Sequence, residues 1–309
     1  MLRLHLFGAL AFSFIAAGTA RAPIHVSGRP GSLLAFLALA RGRYFTRSEL
    51  VAALWADQAD AVGSGTFNTV LWRLRKLVEQ PPVGHGTLIA CDRRGAVGLH
   101  PQAPVQLDVD EFAQRVLPAL AKPIERMAED DVEALRSGIA LYTADILTDL
   151  GDDWALRERE KHRRHYLNAL GRLMQVCALA GDHSSAIRYA QTILDQDALR
   201  EDVHRELMRL FLRSGQRAMA LRQFELCRGA LRRELAIQPM AETIALYQSI
   251  ADRAVGMEAE VPTFASLLPA PRSMPQFGDT VYSPRQLIES ARQHLAQADA
   301  QLQMSLPFL

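Results

Sequence analysis

A mainly α-helical chain, with small β-sheets confined to its first third, is the fold class this sequence predicts. Three observations carry that expectation. Over Gly63–Gln80, the residues Phe67, Val70, Leu71, Leu74, Leu77 and Val78 fall on one stripe at 100° per residue, the pattern of a helix docked on a core. Strand-like alternation is limited to the first 26 residues and to 87–99. From 108 onward apolar residues keep helical spacing, and several recur 34 positions apart.

The 309 residues are enough for two domains with ample core. Composition is that of a globular chain, 49% hydrophobic and 22% charged, and no run is long and apolar enough to span a bilayer. The net charge of +1 hides an asymmetry. Residues 1–107 carry 11 Lys/Arg against 5 Asp/Glu, residues 108–255 carry 21 against 24, and residues 256–309 carry 3 against 5. Positive charge therefore gathers in the first part, as expected of a domain facing a polyanion. Cys91, Cys177 and Cys227 are far apart and odd in number, which fits a reducing cytoplasm and makes neither a disulfide framework nor a metal motif. The expected divisions are 1–107, 108–255 and 256–309.

In the first segment, Leu2, Leu4 and Leu6 alternate with Arg3 and His5, Phe7-Gly8 marks a turn, and Phe12, Phe14 and Ile15 form a second β-prone stretch. Arg21–Val26 forms a third. The same residues contain an apolar run from Leu6 to Ala17 and a small-x-small ending at Ala20-Arg21-Ala22, which would pass as a secretory signal. A short antiparallel sheet accounts better for His5 and Gly8.

Three helices follow. Gly31–Arg41 is apolar nearly all round and is expected to be buried, with Gly42 ending it. Thr46-Arg47-Ser48-Glu49 is a capping box that starts the second helix through Leu50, Val51, Leu54 and Trp55. The third is the helix at 63–80, whose polar face carries Asn68, Thr69, Trp72, Arg73, Arg75 and Lys76. Amides read adenine edges, guanidiniums read guanine or grip phosphates, and a helix N-terminus adds a positive field, so this face suits a DNA major groove. Trp72 on that face is open to two readings, a base-edge or sugar contact and a patch packed on the neighbouring hairpin. Arg43 and Arg47 near the second helix are either phosphate contacts or solvated. Pro81-Pro82 stops the third helix, and Thr87–Cys91 and Ala96–Leu99 flank Asp92-Arg93-Arg94-Gly95 as a hairpin with two arginines at its tip.

Sheet, three helices and a cation-tipped hairpin, in that order, make a winged helix-turn-helix. The segments Leu4-His5-Leu6-Phe7-Gly8-Ala9-Leu10, Ser48-Glu49-Leu50-Val51-Ala52-Ala53-Leu54-Trp55 and Asn68 through Leu77 resemble the OmpR-type DNA-binding domain. More closely, the chain is similar to the SARP-type bacterial transcriptional activators. That resemblance implies a third helix, Thr66–Lys76, in the major groove, and a wing bearing Arg93 and Arg94 at the adjacent minor groove. It also implies a helix 2–3 loop, Ala56–Gly65, near RNA polymerase. The family often has Gly-Tyr-Arg-Leu in its wing where this chain has Gly95-Ala96-Val97-Gly98-Leu99.

Past Leu107, amphipathic helices are expected at Asp108–Leu120, Glu129–Thr143 and Trp154–Ala180. A repeat follows: Gly181 pairs with Gly215, Ala186 with Ala220, Ile187 with Leu221 and Ala190 with Phe224, each 34 apart, the period of tetratricopeptide repeats. Asp153-Trp154, Arg157-Glu158-Arg159-Glu160, Tyr166–Leu170 and Ala230–Pro239 resemble the bacterial transcriptional activator domain that follows the winged helix in SARP proteins. Beyond it, Pro262, Pro269, Pro271 and Pro275 mark a linker, and Ser283-Pro284-Arg285-Gln286 caps a final amphipathic helix with Ile288, Leu295 and Leu302 on its seam.

Nothing in the sequence points to catalysis. No Gly-x4-Gly-Lys-Ser/Thr loop, Gly-x-Ser-x-Gly elbow or Cys-x-x-Cys motif occurs, and no cofactor is expected. Glu158, His162 and His165 share one helical face, but Arg157, Arg159, Lys161, Arg163 and Arg164 would repel a dication, so a solvated basic face is expected there and no metal. Asp152-Asp153 is expected to cap the following helix. The reading is a cytoplasmic, non-enzymatic transcriptional activator. Its expected partners are double-stranded promoter DNA, RNA polymerase and, at least on DNA, further copies of itself, with no membrane. The alternatives are a tetratricopeptide-type interaction adaptor whose first domain has lost DNA binding, and a secreted repeat protein.

Overall fold

Four short strands at the start of the chain and a fifth from residues 105–107 form one sheet built outward from β1 (Leu2–His5). The structure is a computed structural model, and it describes residues 1–16, 19–56, 64–81 and 83–257. The expected linker and C-terminal helix, and most of the helix 2–3 loop, lie outside these residues. On one side β1 runs antiparallel to β2 (Ala11–Ala16), with Leu2 opposite Phe14 and Leu4 opposite Phe12. β3 (Thr19–Ala20) and β4 (Ile24–His25) pair with β2 in turn. Leu2, Leu4, Leu6, Phe12 and Phe14 are buried while Arg3 and His5 are half-buried, as the alternation requires. Later in the chain β7 (Val105–Leu107) pairs parallel with β1 on its other side. Three residues are too few to show a period, so this strand was not legible.

The three expected helices are α1 (Gly28–Leu39), α2 (Arg47–Leu54) and α3 (Ser64–Val78). α1 begins three residues earlier than its apolar run, because Ser27 is extended and Pro30, within the first turn, has no N–H that the helix needs. The Thr46–Glu49 capping box is present in both directions, and Glu49 accepts the Thr46 backbone N–H at 2.7 Å. That bond and the Thr46 hydroxyl hold the Glu49 carboxyl below its usual range. Phe67, Val70, Leu71, Leu74 and Val78 of α3 are buried with α1 and the sheet, and Leu77 packs at their margin. β5 (Ile89–Cys91) and β6 (Val97–Leu99) form the hairpin, and a bridge between Phe45 and Val97 ties it to the entry of α2.

Among the described residues seven α-helices follow: α4 (Asp108–Leu120), α5 (Glu129–Ile139), α6 (Asp153–Leu179), α7 (His183–Gln196), α8 (Glu201–Arg213), α9 (Arg217–Leu235) and α10 (Ala241–Met257). The 34-residue repeat is realised bond for bond. Asp182 N–H donates to Cys177 and Gln216 N–H to Phe211, while Gly181 N–H donates to Ala178 and Gly215 N–H to Leu212. Both glycines have positive φ, +79° and +72°, which closes the same type of helix C-terminus twice. Ala186 and Ala220 are fully buried where the paired helices touch. Among the described residues no helix is long and apolar enough to cross a membrane.

Between α5 and α6 the chain departs from expectation. α5 ends at Ile139, not Thr143, and residues 145–150 run as a strap along the first part of the chain. Gly8 N–H donates to Asp145, Leu147 N–H to Leu6 and Thr148 N–H to Gly8, at 2.9–3.0 Å. These external backbone partners compete successfully with continuation of the helix. Ile146 and Leu147 are fully buried, and with Leu150, Trp154 and Ala155 they complete the core that contains β1, α1 and α3. Asp108 adds to the junction, its buried carboxylate accepting the N–H groups of Leu6, Phe7 and Val109.

Two side-chain expectations are corrected here. Asp152 holds the N-cap position of α6 but makes no side-chain cap; its carboxylate crosses to Arg29 and Ser32 of α1, at 2.7 Å each. The basic run of α6 is solvated only in part: Arg157, Lys161 and Arg164 are exposed, and the others are covered. Arg159 donates to the carbonyls of Ile146, Leu147 and Leu150, Arg163 donates to Gln196, and His162 is buried against Phe112. A helix viewed alone cannot show which of its cations another segment will cover.

Candidate nucleic-acid interface

The apolar stripe that buries one side of α3 turns the other side outward. Thr66, Asn68, Thr69, Trp72, Arg73 and Lys76 are all exposed. Thr69 is partly occupied, since its hydroxyl donates to the Gly65 carbonyl at 2.9 Å. Trp72 is 60% exposed, and Lys76 Nζ lies 5.1 Å from the centre of its ring. This pairing keeps an aromatic face and a cation side by side at the middle of the exposed surface.

Arg47, at the start of α2, comes to the same place. It lines an open cleft of about 610 Å³ together with Asn68, Trp72, Arg75 and Lys76. On its other side Arg47 lines a second cleft with Tyr44, Asp92 and Arg94 of the wing. Arg47 thus bridges the α3 surface and the hairpin. Arg43 is set further back, pairing with Glu49 at 3.4 Å and stacking on Phe45 at 4.5 Å. Among the described residues, no ion pair involves Arg47, Arg73, Lys76, Arg93 or Arg94.

Asp92 shapes the wing tip. Its side chain accepts the N–H groups of Arg94 and Ala96 at 2.8 Å, and its carbonyl accepts the Gly95 N–H at 3.0 Å. The turn leaves Arg93 and Arg94 exposed. The wing's departure from the usual pattern also has a packing reason. A Cβ on Gly98 would lie 2.7 Å from the Arg43 carbonyl and 3.2 Å from the Tyr44 ring, so the close approach of the Phe45 bridge requires glycine.

Arg75 is placed differently from the other α3 cations. It is half-buried, and its guanidinium donates to the Ile89 carbonyl at 3.5 Å and to Cys91 Sγ at 3.4 Å. One turn later Glu79, which the sequence did not single out, is buried and accepts three backbone N–H groups of the hairpin arm. A single acid at the end of a helix reads as solvated, and only its spacing of four from Arg75 hinted at a shared task.

Comparison with known proteins agrees with this order of domains. Residues 21–94 match the family described as transcriptional regulatory protein, C terminal, and residues 107–251 match the bacterial transcriptional activator domain. Regulatory protein AfsR of Streptomyces griseus is 28% identical over 262 residues, covering 81% of this chain and 26% of AfsR. Transcriptional regulator RedD of Streptomyces coelicolor is 27% identical over 225 residues, covering 70% of this chain and 61% of RedD. The chain therefore spans about a quarter of the length of AfsR and under two thirds of RedD. The fold is also that of Mycobacterium tuberculosis EmbR, solved in complex with a low affinity phosphopeptide, with a TM-score of 0.64 at 19% identity over 82% of this chain and 65% of EmbR. With these two domains in this order, the chain belongs to the SARP-type family of bacterial transcriptional regulators.

Proposed function

We propose that the chain binds promoter DNA through α3, Arg47 and the wing, and from there acts as a transcriptional activator that recruits RNA polymerase. The observation that carries this reading is the gathering of Asn68, Trp72, Arg73, Lys76 and Arg47 on one exposed surface beside Arg93 and Arg94. An amide, an indole and cations that pair with no acid among the described residues suit base edges and phosphates together. Residues 1–107 supply this surface; residues 108–255 supply the helical repeats, which we assign to self-association on DNA and to contact with a signalling partner. Recruitment of polymerase by the segment between α2 and α3 follows from family membership alone.

Arg73→Ala and Lys76→Ala test the reading. Both side chains stand outside the core, so each variant should melt with the parent while binding DNA more weakly. A lost phosphate contact lowers the salt slope by about one, whereas a lost base contact costs about 1–3 kcal/mol and relaxes specificity at one position. Titration of a duplex enriched by the parent from a random pool, at several salt concentrations, separates the two. Unchanged binding by both variants at every salt concentration would remove α3 from the interface.

For the wing, Arg93→Ser with Arg94→Ser should weaken binding most where the flanking sequence is A·T-rich, because a narrow minor groove has the more negative potential. Equal losses on A·T-rich and G·C-rich flanks would reduce both arginines to phosphate contacts.

A further inference from the structure

The two edges of β5 are treated unequally. Its inner edge belongs to β6, through the register Ala90 opposite Gly98 and the bond from His100 N–H to the Leu88 carbonyl. Its outer edge would leave the N–H and C=O of Ile89 unpaired, and Arg75 of α3 and Glu79, the residue just past its end, take them instead. Glu79 Oε1 accepts the N–H groups of Leu88 at 3.2 Å and Ile89 at 3.0 Å, and Oε2 accepts that of Gly86 at 2.9 Å. Arg75 Nη2 donates to the Ile89 carbonyl, so Ile89 is held at both its polar groups by residues one helical turn apart.

We propose that Arg75 and Glu79 are positioning residues that dock the wing on α3 and set the angle at which Arg93 and Arg94 meet DNA. The proposal rests on the DNA-binding reading above. It assigns the Arg75 charge to the hairpin, not to a phosphate. A hairpin of two three-residue strands has little rigidity of its own. Leu88, Ile89, Val97 and Leu99 anchor its base in the core, and its polar attachments are the Phe45–Val97 bridge on one side and this clamp on the other. The bridge remains when the clamp is cut, so the wing should loosen without the domain unfolding. A carboxylate accepting three N–H groups makes the stronger half, because charge-assisted bonds exceed neutral ones. A lysine in place of Arg75 keeps the charge but loses the planar fork that reaches both Ile89 and Cys91.

Two measurements on the full chain test this, using Glu79→Gln and Arg75→Lys. Hydrogen exchange of the free protein should quicken at residues 86–91 in both variants and stay unchanged in α1 and α6; unchanged exchange at 86–91 would overturn the clamp. Affinity for the enriched, A·T-flanked duplex should fall roughly tenfold in Arg75→Lys although charge is conserved. In a chain already carrying Arg93→Ser and Arg94→Ser, either variant should cost nothing more. An additive loss in that background would mean that Arg75 or Glu79 acts on DNA directly, and the positioning role would fall. Should the parent enrich no duplex at all, the DNA-binding reading fails, while the exchange measurement still decides whether the clamp holds the wing.

Discussion

A fragment ending at Leu107 is expected to be unfolded or molten under conditions where residues 1–256 are folded. The reason lies in the strap. Ile146, Leu147, Leu150 and Trp154 are each at most 6% exposed and sit in the same core as Leu4, Leu33 and Leu74. Burying four such side chains contributes about 6–12 kcal/mol at 1.5–3 kcal/mol each, an upper estimate. That range matches the whole stability of an ordinary domain, about 5–15 kcal/mol. The fragment also loses Asp108, leaving the N–H groups of Leu6 and Phe7 without their buried acceptor. Near-ultraviolet circular dichroism and amide dispersion of the two fragments make the test. A fragment 1–107 with a cooperative melt close to that of 1–256 would show that the strap only rests on the core. A short chimera adding 145–155 through a linker should restore part of the lost stability.

Acid should weaken the protein through His162. Burial against Phe112, aided by the nearby Lys161 and opposed by Glu158 at 3.8 Å, pushes the imidazole down to about 4 from its ordinary 6.5. A lowered folded-state value means that the unfolded chain takes the proton first as pH falls. The stability tied to neutral His162 is therefore fully present above pH 6.5 and is lost progressively down to about pH 4, where the native imidazole protonates as well. At about 1.4 kcal/mol per pH unit the loss amounts to roughly 3 kcal/mol. Urea unfolding at about pH 7 and about pH 4.5 should show the parent losing most of that amount relative to His162→Leu, which has nothing to titrate at this position. His165 and His204, also lowered by burial, are common to both chains and largely drop out of the difference. Equal losses in parent and variant would assign the acid sensitivity to other groups.

Much of this protein was determined by local sequence. The stripe from Phe67 to Val78, the Thr46–Glu49 box and the 34-residue recurrence of Gly181 and Gly215 each encode an element whose partners lie within a few turns. Periodicity and capping are short-range physics, and they survive without knowledge of the rest of the chain. The outward face of α3 followed from the same stripe, because a helix that buries one side must expose the other.

What only the tertiary structure decided is which polar groups remain free. Arg73 and Arg75 look alike in sequence, yet one is exposed and the other is turned into the hairpin. Arg159 was expected on a solvated face and Asp152 at a helix cap, and instead they hold the strap and α1, while Glu79, which the sequence did not single out, is buried beneath the wing. Each of these outcomes depends on a segment arriving from between 7 and 123 positions away, bringing unpaired backbone groups to Arg159 and Glu79 and the Arg29 and Ser32 side chains to Asp152. A buried backbone group must find a partner, and the nearest charged side chain is recruited whatever its local pattern implied. Short-range spacing therefore named the helices and the face, and long-range backbone pairing selected which charges are left on it.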